Sequence, residues 1–177
     1  MLHYKNQKLL ELSLRKKIYF LVEKHSGCHF RELERKSGLA SGTLKYHLDF
    51  LVKHELLKRE KHENNLRYFF MQLKSENLIL LSLLRQKSLR DLILFILQNK
   101  KCSHKELVSL SRLSPSTVSW HLKKMIKNNI IASAEDGRNV FYSLSVNEEE
   151  IIKLLVSYKE SFLDSLVNQT IEMWEVR

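Results

Sequence analysis

The side chains equipped for chemistry come in two sets, 74 residues apart. Cys28-His29 and Cys102-Ser103-His104 are the only places where a thiol and an imidazole stand together. Each offers two ligands where a closed zinc site takes four. Both cysteines therefore read as small buried residues, and no metal or cofactor is expected. No Gly-rich phosphate loop, nucleophile–base arrangement or paired-carboxylate pattern follows, so the chain is not expected to be an enzyme. What remains is non-covalent recognition. One set holds Ser41, Gly42, Thr43, Lys45, Tyr46, Asp49 and Lys53, the other Ser116, Thr117, Ser119, Trp120, Lys123 and Lys127. Short hydroxyls and glycine allow close approach to phosphates, and lysines attract them whatever the base sequence. An aromatic ring suits a thymine methyl or the sugar-phosphate wall.

These sets sit in a repeat that aligns without a gap. Cys28 falls on Cys102, Glu32 on Glu106, Leu33 on Leu107, Ser37 on Ser111, Leu39 on Leu113, Thr43 on Thr117, His47 on His121 and Lys53 on Lys127. Fixed-offset identity marks a duplicated unit, and two copies suit two small domains better than a solenoid. In the first copy, apolar residues at helical spacing predict a helix over about 5–24, stopped by His25-Ser26-Gly27. A second helix follows over about 30–36, and a third over 41–54 with Leu44, Leu48, Leu51 and Val52 inward. Residues 56–60 and 67–70 read as strands around the polar His62 to Asn65. The second copy repeats this, with Ser114 as cap and Pro115 at the first position of a third helix over 115–128. Its strands flank Asp136-Gly137-Arg138, a good tight turn. Three helices followed by a hairpin is the winged helix-turn-helix.

The inward faces fix which residues of each third helix point out, and those are the candidates named above. Tyr46 and Trp120 share one repeat position and stay open to two uses, DNA contact or cover for a neighbouring element. Asp49 is an acceptor for a cytosine amino group, or marks a copy less committed to DNA. His47 and His121 read as packing residues at the core boundary. Wing one carries Lys58, Arg59, Lys61, His62 and Arg67, while wing two carries Arg138 beside Glu135 and Asp136. On charge, wing one should grip a backbone or minor groove better.

Composition agrees. One proline and four glycines in 177 residues, 44% of them hydrophobic, predict a mainly α (α+β) protein with real cores. The net charge of +10 is uneven: 16 Lys/Arg against 8 Asp/Glu in residues 1–74, 9 against 4 in 89–146, and 3 against 7 in 147–177. A positive field on the two copies suits a polyanion partner. The expected organisation is a first domain over 1–74, a short linking helix over 75–88 packed against both domains, a second domain over 89–146 and a long C-terminal helix over 147–177. The apolar stripe of that helix, from Ile151 to Met173, is expected to pair with a second chain as a homodimer. The apolar stretch 78–97 is broken by Arg85, Lys87, Arg90 and Asp91, so no membrane span is expected. The N-terminus does not read as a signal peptide, and a cytoplasmic, nucleoid-associated location follows.

His29-Phe-Arg-Glu-Leu33 and Gly42-Thr-Leu-Lys-Tyr-His-Leu48, followed by a strand pair ending Arg67-Tyr-Phe-Phe70, carry a resemblance. The chain resembles the archaeal predicted transcriptional regulators with two winged helix-turn-helix domains, related in fold to the ArsR and MarR families. The resemblance covers about residues 14–146 and implies double-stranded DNA as partner, transcription regulation and a dimer. The Cys-x-Cys pair of metal-sensing ArsR proteins and their ligand set on the last helix are absent, so metal-responsive release is not implied. Two rival expectations are an architectural chromatin-like protein of low sequence specificity and a winged-helix docking module for transcription machinery.

Overall fold

The computed structural model describes residues 13–62, 65–137, 139–162 and 165–175. The part of the expected first helix before Ser13, and Arg138 of the second wing, lie outside the described residues. Two compact units divide the chain, Met1–Leu78 and Ile79–Arg177.

In the first unit, α1 (Ser13–Lys24) leads through β1 (Cys28–His29) into α2 (Phe30–Ser37) and α3 (Ser41–Lys53), followed by β2 (Leu57–His62) and β3 (Asn65–Phe70). The His29 Nδ1 caps α2 by accepting from the Glu32 N–H at 3.1 Å. Gly38 closes that helix in the left-handed conformation, φ 67°. No side chain caps α3, whose cap position is Ala40. Ile18 and Val22 of α1, Leu33 of α2, and Leu44, Leu48 and Leu51 of α3 meet Leu57 and Tyr68 in one core. Each buried aliphatic contributes roughly 1.5–3 kcal/mol against exposure. The sheet is antiparallel in the order β1-β3-β2, with Cys28 opposite Tyr68 and Leu57 opposite Phe70.

α4 (Ser75–Leu84) carries the boundary between the units. The second unit continues with α5 (Lys87–Asn99), β4 (Cys102–Ser103), α6 (His104–Ser111), α7 (Pro115–Lys127), β5 (Ile131–Asp136) and β6 (Asn139–Leu144). A full capping box starts α6, with the Ser103 hydroxyl facing the Glu106 N–H and the Glu106 carboxylate accepting from the Ser103 N–H. Its sheet, β4-β6-β5, sets Cys102 opposite Tyr142 and Ile131 opposite Leu144. The start positions of β1, α2, α3 and β2 thus recur 74 residues on, as does the strand register. Both units are winged helix-turn-helix domains. The two-residue strands β1 and β4 had no sequence signal, because alternation needs more residues than that to show.

The tail departs from expectation. Its described residues lie in α8 (Glu148–Ser157), α9 (Lys159–Phe162) and α10 (Ser165–Glu175). Asn147 caps α8, as expected, by accepting from the Glu149 N–H at 2.8 Å. α10 packs on α5 and α8, and Gln98 donates to the Thr170 hydroxyl at 3.0 Å. Ile151, Leu155, Phe162, Val167 and Ile171 are buried within this unit. The stripe is too long for one small domain only if the helix is straight, and here α8 ends at Tyr158 while α10 packs on both α8 and α5. Among the described residues of the tail, Val156 and Met173 are the large hydrophobics left exposed.

Candidate nucleic-acid interface

α3 and α7 each bury one face and leave the other open. On α3, Leu44, His47, Leu48 and Leu51 are inward, so Gly42, Tyr46, Asp49 and Lys53 make one outward line at i, i+4, i+7 and i+11. Ser116, Trp120, Lys123 and Lys127 make the same line on α7. Tyr46 is 64% exposed and Trp120 56%, with the Lys124 ammonium 5.2 Å from the centre of the Trp120 ring. Ser41, Thr43, Lys45, Lys53, Lys123 and Lys127 are exposed, and among the described residues none of these four lysines is ion-paired. A Cβ at Gly42 would meet nothing within 4 Å, so the fold itself does not require glycine there.

The start of α7 is a hydroxyl cluster. The Ser114 hydroxyl accepts from the Thr117 N–H at 3.2 Å and lies 2.7 Å from the Thr117 hydroxyl and 3.0 Å from that of Ser116. On α3 the Ser41 hydroxyl bonds the Glu34 carboxylate instead. Ser119 turns sideways, its hydroxyl 2.8 Å from Nε2 of His104 on α6, and it holds the two helices of the motif together.

Wing one is less available than its charge suggested. Arg67 is buried and donates to the Gly27 carbonyl at 2.6 Å, which removes it from the candidates for phosphate contact. Lys58 donates to the Leu73 carbonyl at 2.7 Å. Arg59 crosses from β2 to α3 and binds Asp49 Oδ1 at 2.6 Å, so Asp49 faces a guanidinium of its own chain. Arg59 also lies opposite Tyr68, its cross-strand neighbour. Burial pushes the Tyr68 phenol up, Arg59 opposes this and Asp49 adds to it. Lys61 remains exposed on the strand. In wing two, Asp136 pairs with Lys101 at 3.5 Å.

His47 and His121 are buried, and each has a neighbouring aromatic ring on the outward face, Tyr46 or Trp120, with centroids 5.1 Å away. In both the Nδ1 atom is buried without a hydrogen-bond partner. Burial lowers both pKa values below the ordinary histidine range, and Arg15 near His47 and Lys124 near His121 push the same way. Cys28 and Cys102 are buried and in no disulfide, and burial, with Glu106 adding to it, pushes the Cys102 thiol pKa up. Among the described residues no group of three or more His, Cys, Asp or Glu is placed to hold a metal. No helix of these residues is long and apolar enough to cross a membrane. Sequence reasoning passed over Arg31, Arg35 and Lys36 on α2 and Lys105 on α6, exposed cations on the first helix of each motif. Their only signal was a polar face opposite Leu33 and Leu107.

Residues 13–77 match the family described as an N-terminal HTH domain (HTH_HVO_0163_N), and residues 85–132 match one described as winged helix-turn-helix DNA-binding. Over 147 residues, 83% of the chain, it is 30% identical to an uncharacterised HTH-type transcriptional regulator, MJ1398, of Methanocaldococcus jannaschii. The chain spans 36% of that relative's length. HlyU from Vibrio cholerae superposes at TM-score 0.42 and 23% identity, over 49% of this chain and 91% of HlyU. BpsR of Bordetella bronchiseptica, whose DNA binding is regulated by 6-hydroxynicotinic acid, superposes at TM-score 0.35 and 16% identity, over 49% and 74%.

Proposed function

From two winged helix-turn-helix domains in one chain, we propose a DNA-binding transcription regulator that sets α3 and α7 into the major groove. The observation that carries this reading is the outward line of each third helix. An exposed aromatic ring and lysines outside any ion pair stand there over a helix start rich in hydroxyls. A cylinder of that width suits a groove about 12 Å across, and the lysines supply the salt-dependent part of binding. Ser41, Thr43, Lys45, Tyr46 and Lys53, with Ser116, Thr117, Trp120, Lys123 and Lys127, are the proposed contacts, joined by Lys61 on the wing. The match to an HTH-type transcriptional regulator supports the same role, and a regulator of this kind acts where the chromosome is. One chain brings two recognition helices. A homodimer through the C-terminal helix would use the apolar side chains that the described residues of the tail leave exposed, Val156 and Met173.

The test is retention of labelled duplexes by the full chain across a salt series, with a site selected from random DNA and an unrelated duplex as probes. A regulator prefers its site by about 10³-fold or more. A steep salt dependence with no preference would instead identify an architectural protein. Charge reversal at Lys45 and Lys53 together (K45E/K53E) abolishes retention under this proposal. Unchanged retention would leave the domains as protein-docking modules.

A further inference from the structure

Neither third helix carries an outward arginine of its own, yet the structure delivers one to α3 from the wing. Arg59 on β2 reaches Asp49, which lies between Tyr46 and Lys53 on the outward line, and meets its Oδ1 at 2.6 Å. The guanidinium also stands beside the buried Tyr68, its cross-strand neighbour, and holds that phenol's pKa down against burial. Both members of the ion pair remain open to solvent, with side chains 40% and 44% exposed. An exposed pair of this kind contributes little to stability. What it does accomplish is to hold a long, rotamer-rich side chain in one orientation beside the DNA-facing surface.

We propose that Arg59 is a specificity-determining residue that reads a guanine in the major groove, with Asp49 and Tyr68 as the positioning residues behind it. This rests on the DNA-binding reading above. Arginine has five N–H donors in a planar fork, and Asp49 occupies only part of the set. The rest match O6 and N7 of guanine, the commonest specific contact made by arginine. Asp49 lies about 10 Å along the helix from Gly42 at 1.5 Å per residue, inside the span of a groove roughly 12 Å wide. Asp49, which would repel phosphate if it stood alone, is explained by this arrangement. The second domain has Lys123 and Ser133 at the corresponding positions and no such fork. The two domains therefore read different sequences, and the site for one chain is asymmetric.

The experiment selects duplexes from a random library with the full chain, then measures affinities for the selected site and its single-pair variants. The proteins are wild type, R59A, R59K and D49N. The expected wild-type motif contains a G·C pair whose replacement weakens binding roughly 5- to 150-fold. R59A and R59K lose that discrimination while the other positions of the motif persist, and R59K keeps the wild-type salt dependence. D49N weakens discrimination at the same pair. An R59A motif identical to wild type would overturn the proposal. So would an equal loss on all duplexes with the salt slope reduced by about 0.9, which marks a phosphate contact. So would D49N binding every duplex more tightly, which marks Asp49 as a mask. A wild-type chain that binds all duplexes alike refutes guanine reading but leaves DNA binding intact, whereas failure to bind any duplex removes both.

Discussion

Arg67 separates a structural cation from a DNA-binding one. It is 6% exposed, sits opposite His29 in the β1–β3 pairing, and donates to the Gly27 carbonyl at 2.6 Å. Gly27 has φ 83°, where other residues are strained, and its N–H bonds the Tyr68 carbonyl at 2.8 Å. Arg67 thus fastens the turn that brings α1 into the sheet. Replacing it with alanine removes a charge-assisted hydrogen bond and leaves a carbonyl short of its donor, a cost of about 2–3 kcal/mol. In a domain of this size that lowers the melting temperature by roughly 8–24 °C. Differential scanning calorimetry of R67A follows both units, while emission from Trp120 and Trp174 follows the second unit alone. DNA titrations well below the transition should give the wild-type salt slope. A first-unit transition at the wild-type temperature, together with a slope reduced by about 0.9, would show that Arg67 contacts phosphate and would refute the reasoning.

Both recognition-helix histidines have folded-state pKa values below their unfolded ones, first through burial and then through Arg15 or Lys124. Between the depressed values and about 6.5 the unfolded chain binds more protons, so stability is complete above that window and falls as pH drops through it. H47Q/H121Q should flatten the stability–pH curve over the same range in chemical denaturation, and an unchanged curve would contradict this. In a W174F background the single indole, Trp120, should show solvent-exposed emission that changes when duplex DNA is added. Emission of a buried indole that ignores DNA would argue against α7 as a recognition helix. L155A should cost about 2–5 kcal/mol of second-unit stability with no change in sedimentation mass. A dimer that dissociates in L155A would instead place the tail stripe between chains.

Much of the fold is legible in the residues because it is written in local terms. Caps at Ser114 and Asn147, Pro115 at a helix start, inward leucines at helical spacing and an unbroken 74-residue offset each act within a few residues of chain. They specify the helices, the motif and its duplication, and with them the outward positions of Tyr46 and Trp120. Charge alone did not say which cations are free. Arg67, Lys58 and Arg59 look equivalent as residue types, yet one is buried against Gly27, one is tied to Leu73 and one is held by Asp49. Those partners lie 10 to 40 residues away, and only the folding of the sheet against α1 and α3 brings them into range. The tail shows the same division. Its apolar periodicity dictated helix, but the meeting of part of the stripe with α5 of its own domain turned on the end of α8 at Tyr158 and the packing of α10 on α5. Short-range preferences are encoded residue by residue, whereas hydrogen bonds and packing between distant segments exist only once the chain has closed around them.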